Sequence, residues 1–511
     1  MKKWDKLQNG SDIRGVALEG IAGETVNLTQ LEAMYIGYGF YQWLKTIKST
    51  IEPLKITVGH DSRLSAESLK KGIFSGIVAA GGVAVDCGLA TTPSLFMSTQ
   101  FEDVKADGAI MITASHLPFN RNGFKFFTNN GGLDKPDITS ILSAAHNAYD
   151  QSLLSDTDVN SEVYPLLNRY SAHLTTLIRE GINHQENFNE PLKGFKIIVD
   201  AGNGAGGFFA DKVLIPLGAN ISGSQFLEPD GMFPNHQPNP EDHAAMQSIT
   251  EATLAAGADL GIIFDTDVDR SAVVLSDGCE VNRNRLIAMM SAIVLKEQPG
   301  STIVTDSVTS DGLETFITAH GGKHHRFKRG YKNVINESIR LNDEGIESSL
   351  AIETSGHGAF KENYFLDDGA YTVVKILIEM ARLKTLNKSL MDLVESLEEP
   401  AESTEIRVKI LYDDFTLIGN RIIEDIRNHS ASFVGWMPVA DNHEGIRLKC
   451  LGEKEQGWFL IRMSLHDPVM PINIESNIAG GSREIALQIY SILNNYEHLD
   501  LSGFDKVFLG K

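Results

Sequence analysis

Three stretches of the chain share one hydrophobic rhythm. Ile56-Thr57-Val58 runs into Gly59-His60-Asp61, and Gly81-Gly82 with Val83-Ala84-Val85-Asp86 comes after it. Ile197-Ile198-Val199-Asp200 is followed by Leu217-Gly218-Ala219, and Ile303-Val304-Thr305-Asp306 by Gly321-Gly322. Each is an apolar run closed by a polar turn with Asp, then a stretch long enough for one helix, then small residues and another strand. Strands alternating with helices at this spacing predict βαβ units and mainly parallel sheets. The repeats start too far apart for a solenoid and suit three related domains.

The C-terminal part has a different pattern. The acidic, proline-containing run 395–402 reads as a solvated connection. After it, Glu405–Ile410, Gly445–Lys449 and Trp458–Arg462 read as short strands, and Ile485–Leu493 as an amphipathic helix. The expected fold is therefore α/β: three related α/β domains with mixed, mainly parallel sheets, plus a C-terminal α+β domain. The boundaries are placed at 1–158, 159–278, 279–396 and 397–511.

Composition narrows the function classes. The chain has 511 residues, 42% hydrophobic and 22% charged, as ordinary globular proteins do, and is too long for one core. A net charge of −22 repels nucleic acid and anionic membrane, while leaving room for a local basic cleft that holds a small anion. Neither an apolar span nor a signal peptide is read, and Cys87, Cys279 and Cys450 are too scattered for a disulfide or zinc framework. A cytoplasmic protein is expected.

Asp265-Thr266-Asp267-Val268-Asp269-Arg270, after the apolar run Leu260–Phe264, is the strongest chemical signal. In an extended chain the three carboxylates point to one side and repel unless a cation lies among them. Hard oxygen ligands favour Mg²⁺ or Ca²⁺. An EF-hand needs Gly and Glu where Arg270 and Ser276 stand, so that reading fails; a solvated acidic turn is the alternative. Met111-Ile112-Thr113-Ala114-Ser115-His116 carries a hydroxyl and an imidazole into a turn, with Lys125 further on. Serine needs a base or a charged electrophile nearby to act as nucleophile, and His116 or Lys125 could supply it; an ordinary turn serine is the bland reading. Glu353-Thr354-Ser355-Gly356-His357 suits adjacent sugar hydroxyls, or simply a helix N-terminal turn. Arg462 and Ser464 after a strand suit a phosphate, or only a surface.

Taken together the motifs resemble the α-D-phosphohexomutase family over nearly the whole chain. Thr113-Ala114-Ser115-His116 resembles its phosphoserine motif, although Leu117 stands where Asn is usual. Asp265, Asp267 and Asp269 match its metal triad, completed by the serine phosphate. Asp12-Ile13-Arg14-Gly15 and Gly59-His60-Asp61-Ser62-Arg63 also align, and Arg270 matches a substrate-contacting arginine. Glu353, Ser355 and His357 match the sugar loop, and Gly330-Tyr331-Lys332 resembles the loop that distinguishes the two sugar orientations. Pro229-Asp230-Gly231 and the segment 233–240 lean toward the phosphoglucomutase/phosphomannomutase branch.

The resemblance implies four domains round a central cleft and exchange of hexose 1-phosphate and hexose 6-phosphate, glucose or mannose, through a 1,6-bisphosphate. It implies Mg²⁺, glucose 1,6-bisphosphate or a matching hexose bisphosphate as activator, and a small-molecule sugar phosphate as partner, with the oligomeric state open. Ser115 is the expected phosphoryl carrier and Lys125, beside Arg14, the expected proton-transfer group, with His357 in reserve. Arg270, Lys332, Glu353, Ser355, His357, Arg462, Ser464 and His466 are the expected substrate contacts. The phosphate loop departs from the family's Arg-x-Ser-Gly-Thr-Glu-Pro: Leu465 replaces the glycine, His466 the threonine, and Pro471 a later arginine. A phosphatase on the same scaffold and a non-catalytic sensor are the rival expectations.

Overall fold

The computed structural model describes residues 2–48, 50–154, 159, 161–430, 435–440, 442–464 and 467–509. The chain divides into two compact units, Met1–Ile293 with Ser355–Leu393, and Val294–Thr354 with Val394–Lys511.

The first unit holds two sheets. The larger has parallel strands Lys55–His60, Val83–Leu89 and Gly108–Ile112 at its centre. Antiparallel Arg121–Thr128 and Asp12–Val16 extend it, so the sheet is mixed, as expected. Ile56, Val58, Ile110, Ile112, Phe124 and Phe126 alternate into a core shared with helices Gln30–Ile47, Ala66–Ala79 and Lys135–Asp150. Each such side chain contributes about 1.5–3 kcal/mol by leaving water. The first two helices meet backbone to backbone: a Cβ on Gly76 would come within 1.9 Å of Met34 O. The turn before helix Ala66–Ala79 is tied to the end of strand Gly108–Ile112 by Asp61 N, which donates to Ile112 O at 3.1 Å.

The second sheet pairs Ile197–Asp200 in parallel with Leu260–Phe264, which returns antiparallel through Ser271–Leu275. The register matches Phe264 with Ser271, so residues 265–270 are the loop of a hairpin rather than an extended strand. The strand alternation expected for Asp265, Asp267 and Asp269 is thereby corrected. Val268 sits at φ +65°, and the turn, not a pleat, gathers the carboxylates. Helix Gly369–Thr385 starts at this loop. Asp368 caps it by accepting from Tyr371 N at 2.8 Å, and Gly369 N donates to Val268 O. Only glycine fits there, because a Cβ would lie 2.6 Å from Arg270 C.

The other unit opens with parallel strands Lys323–Phe327, Thr302–Asp306 and Ser348–Ile352 and helices Asp311–Ala319 and Tyr331–Asp343. It closes with the six-stranded sheet Trp436–Pro438, Ile446–Cys450, Gly457–Ile461, Val469–Ser476, Glu402–Ile410, Leu499–Asp500. Helices Phe415–His429 and Gly481–Leu493 pack against that sheet through a core including Val408, Ile422, Leu448, Phe459, Ile472 and Ile489. Asp61, Asp200 and Asp306, the closing residues of the three sequence repeats, are all fully buried. Among the described residues no helix is long and apolar enough to cross a membrane.

Candidate active site

Strand Gly108–Ile112 ends in a loop that turns at Ser115, where φ is +50°. A non-glycine residue holds such a backbone only when its surroundings impose it. Arg63 imposes it here. Its Nη1 donates to Pro118 O at 2.8 Å and Arg121 O at 2.9 Å, and its Nη2 to Ser115 O at 2.5 Å and Leu117 O at 2.6 Å. Asp61, pinned by Thr113 Oγ1 at 2.7 Å, accepts from Arg63 N at 2.9 Å. Arg14 Nη1 donates to Ala114 O at 2.7 Å from the other side.

The loop delivers Ser115 Oγ to the acidic hairpin. It donates to Asp265 Oδ2 at 3.1 Å and accepts from Arg270 Nη2 at 2.8 Å. Arg270 also donates through Nε to Asp265 Oδ2 at 3.2 Å and through Nη1 to Asn239 Oδ1 at 3.1 Å. Lys125 Nζ donates to Asp267 Oδ2 at 2.9 Å and to Asp269 Oδ2. Thr92 Oγ1 donates to Asp267 Oδ2 at 2.5 Å. Ligand oxygens of Asp265, Asp267 and Asp269 all lie within 4.8 Å of one another, and all three residues are buried.

Three buried carboxylates face the side chains of Lys125 and Arg270. Burial, then the charge of Asp269, pushes Asp265 well above the ordinary carboxylate range. Burial alone would raise Asp269 too, but Lys125 and Arg270 hold it low. Asp267 Oδ1 and Asp269 Oδ1 are buried without a hydrogen-bond partner among the described residues. Orphaned buried carboxylate oxygens cost more than a partnered group gains. An all-oxygen donor set with two such atoms fits a hard divalent cation.

Both His116 and His357 are held below the ordinary imidazole range. Burial, then the charges of Arg270 and Arg14, brings His116 down to about 3. Its Nδ1 lies 2.6 Å from Arg270 Nη2 and 3.4 Å from Ser115 Oγ, so the closer donor is the arginine. His357 is lowered by burial, Arg270 and Lys125; its Nδ1 lies 2.8 Å from Ser355 Oγ and its Nε2 3.6 Å from Asp269 Oδ1.

The remaining candidates divide between the units. The boundary falls between Thr354 and Ser355, so Ser355 and His357 belong with Ser115, while Lys332, Glu353, Arg462 and Ser464 belong to the other unit. Glu353 is buried and accepts from Gly330 N at 2.6 Å, which fixes the turn leading into helix Tyr331–Asp343 and Lys332 in its first turn. Glu444 Oε2 ties the same turn by accepting from Arg329 N at 3.2 Å and from Ser307 Oγ. Arg462 is half-buried, and Arg462 N and Ser464 N are anchored to Pro471 O and Val469 O. Leu465 and His466 lie outside the described residues.

Three consecutive segments match family descriptions. They are phosphoglucomutase/phosphomannomutase α/β/α domain I over residues 5–152, domain II over 169–278 and domain III over 282–400. A phosphomannomutase/phosphoglucomutase of Pseudomonas syringae is 30% identical, covering 92% of this chain and 91% of the relative. The chain belongs to the phosphoglucomutase/phosphomannomutase family. A phosphoglucomutase of Neisseria gonorrhoeae is 27% identical over 94% of this chain and 96% of its own length. The crystal structure of a phosphoglucomutase/phosphomannomutase family protein from Burkholderia thailandensis superposes with a TM-score of 0.76. It is 26% identical, covering 95% of this chain and 96% of that one.

As a member of this family the chain is an enzyme, an isomerase of the intramolecular phosphotransferase type. Its fold is three α/β/α domains followed by a mostly sheet C-terminal domain. Several residues that build the site were not singled out by sequence. Arg63 sits in a visible motif, but nothing in the motif says that one guanidinium serves four carbonyls. Asn239 lies in the proline-rich segment 233–240, whose composition signals a rigid turn and no more. Thr92 carries no local signal at all.

Proposed function

We propose that this protein interconverts hexose 1-phosphates and hexose 6-phosphates, with glucose and mannose as the sugars. Ser115 carries the phosphoryl group. The observation behind this reading is the convergence of Asp265 Oδ2 and Arg270 Nη2 on Ser115 Oγ, at 3.1 and 2.8 Å. A binding protein has no use for a hydroxyl placed between an acidic cluster and an arginine.

Asp265, Asp267 and Asp269 would hold a magnesium ion, which would supply charge neutralisation at the phosphoryl oxygens. Arg270 donates to the oxygen that Ser115 shares with phosphorus. The phosphoryl group passes from Ser115 Oγ to the free hydroxyl of the sugar phosphate, giving a 1,6-bisphosphate and a free serine. The other phosphoryl group then returns to Ser115 Oγ, and the isomerised monophosphate leaves. Added hexose 1,6-bisphosphate would recharge a serine that had lost its group. Lys125 moves the proton at the attacking and leaving sugar oxygens, a role that needs geometry first and a tuned pKa second. Glu353 and Ser355 take sugar hydroxyls, Lys332 contacts the sugar in its two orientations, and Arg462 and Ser464 take the phosphate that is not reacting. The three free cysteines fit a reducing cytoplasm.

The test supplies purified protein with glucose 1-phosphate or mannose 1-phosphate, Mg²⁺ and a trace of the matching bisphosphate, beside Ser115→Ala. Formation of 6-phosphate that disappears in Ser115→Ala, without release of inorganic phosphate, is the expected result. Phosphate release alone would replace the mutase with a phosphatase. No reaction on either sugar would sink the reading.

A further inference from the structure

The segment Asn235–Glu241 touches both halves of the site without contributing a candidate chemical group. Gln237 Nε2 donates to His116 O at 2.8 Å, on the Ser115 loop. Asn239 Oδ1 accepts from Arg270 Nη1 at 3.1 Å, on the acidic hairpin. Asn239 is only 9% exposed, and its Oδ1 also accepts from Glu241 N at 3.0 Å, which fixes the amide's direction. The segment itself is anchored within its own compact unit. His236 Nε2 meets Asp200 Oδ2 at 3.0 Å, Asn235 Nδ2 donates to Asn203 Oδ1 at 2.8 Å, and Asn282 Nδ2 to Pro240 O at 2.6 Å.

The geometry of Arg270 gives this brace its consequence. A guanidinium is planar, so fixing one of its nitrogens orients the others. Nε is held by Asp265 and Nη1 by Asn239, and together they aim Nη2 at Ser115 Oγ, 2.8 Å away. Asp265 alone leaves the plane free to swing, since the same carboxylate oxygen takes both Nε and Nη2, at 3.2 and 3.0 Å. Asn239 adds an independent fixing point on Nη1, beside His116 Nδ1, which lies 2.6 Å from Nη2.

We infer that Asn239 is a positioning residue for phosphoryl transfer, holding the Arg270 guanidinium in the plane that contacts the oxygen of Ser115. Its Oδ1 meets Arg270 Nη1 and Glu241 N, so it acts through Arg270. The inference rests on the mutase reading above, and it adds a residue whose loss slows transfer while leaving sugar binding intact.

The experiment compares wild type, Asn239→Ala, Asn239→Asp, Arg270→Lys and the double variant Arg270→Lys/Asn239→Ala on glucose 1-phosphate and mannose 1-phosphate. Removing a buried hydrogen bond to a charged group predicts a fall in kcat of about ten- to a hundredfold for Asn239→Ala, with KM within about twofold. Asn239→Asp retains an acceptor for both Arg270 Nη1 and Glu241 N and recovers most of the rate. Lysine is a point charge that cannot span Asn239 and Ser115. In the Arg270→Lys background, Asn239→Ala should therefore change kcat by less than about twofold. Full additivity there would mean that Asn239 does not act through Arg270, and wild-type kcat in Asn239→Ala would end the idea outright. A crystal structure of Asn239→Ala is the readout that does not need turnover. Arg270 Nη2 is expected to leave Ser115 Oγ, and an unmoved guanidinium would overturn the inference. Absence of turnover in the wild type strikes the mutase reading instead.

Discussion

Replacing Arg63 by methionine keeps much of the aliphatic stem and removes every donor. In the native protein the guanidinium serves the carbonyls of Ser115, Leu117, Pro118 and Arg121 at 2.5–2.9 Å, and the residue is 2% exposed. Each carbonyl left buried without a partner costs about 1–3 kcal/mol. Entry of water and movement of the loop recover part of that sum. A net loss of about 3–5 kcal/mol is expected, as when a buried charge pair loses one member. The left-handed backbone at Ser115 costs about 1–2 kcal/mol, less than Arg63 supplies, so the strained turn survives only while the arginine is present. Because the chain forms two units, one global unfolding energy is a poor measure. Amide hydrogen exchange by region is the better assay. Leu117 N and Arg121 N, bonded within the loop to Ala114 O and Pro118 O, should exchange about a hundredfold faster or more in Arg63→Met. Helix Ala66–Ala79 should exchange as in wild type, and turnover should fall with the loop's protection. Arg63→Lys, with a compact ammonium that cannot reach all four carbonyls, should fall between. Wild-type exchange across residues 113–121 together with wild-type turnover in Arg63→Met would refute the argument.

Two further outcomes follow from the site and its surroundings. Stripping divalent metal with a chelator should abolish turnover and added Mg²⁺ should restore it, whereas Asp267→Asn should weaken Mg²⁺ binding by calorimetry; full activity in chelator would contradict the assignment of the acidic hairpin. His236 offers a stability test away from the metal ligands. Burial alone would lower it, but the hydrogen bond and charge of Asp200 raise it above its ordinary value. The stabilisation is therefore complete below the unfolded histidine's pKa of about 6.5 and is lost as pH rises through the higher folded value. Thermal melts of wild type and His236→Gln should differ most near pH 5.5 and converge in alkali; a gap that widens with pH would reverse the sign.

The sequence was informative wherever chemistry and backbone signal sit on neighbouring residues. Ser115 in its small-residue turn, the three aspartates behind an apolar run, and the strand-to-Asp repeats at Asp61, Asp200 and Asp306 are all local. What was not legible depends on contacts across long stretches of chain. Thr92 reaches Asp267, and Gln237 reaches the carbonyl of His116. No periodicity encodes such pairs. Asp265, Asp267 and Asp269 do lie together, but a hairpin loop with Val268 at positive φ gathers them rather than strand alternation. In the C-terminal sheet, Val469–Ser476 and helix Phe415–His429 were not read from sequence, although three neighbouring strands were. Val469–Ser476 begins with Pro471 near its start, and proline argues against a strand until pairing with Glu402–Ile410 is seen.

On the proposed reading, the left-handed turn at Ser115 also bears on why serine would be the carrier. Threonine has the same nucleophilic oxygen and would serve as well by chemistry alone. At φ +50°, however, a second substituent on Cβ crowds the backbone, and β-branched residues are genuine outliers in that region. The fold has thus selected among hydroxyl amino acids by backbone shape. At this position an unbranched Cβ is as much a requirement as the oxygen it bears.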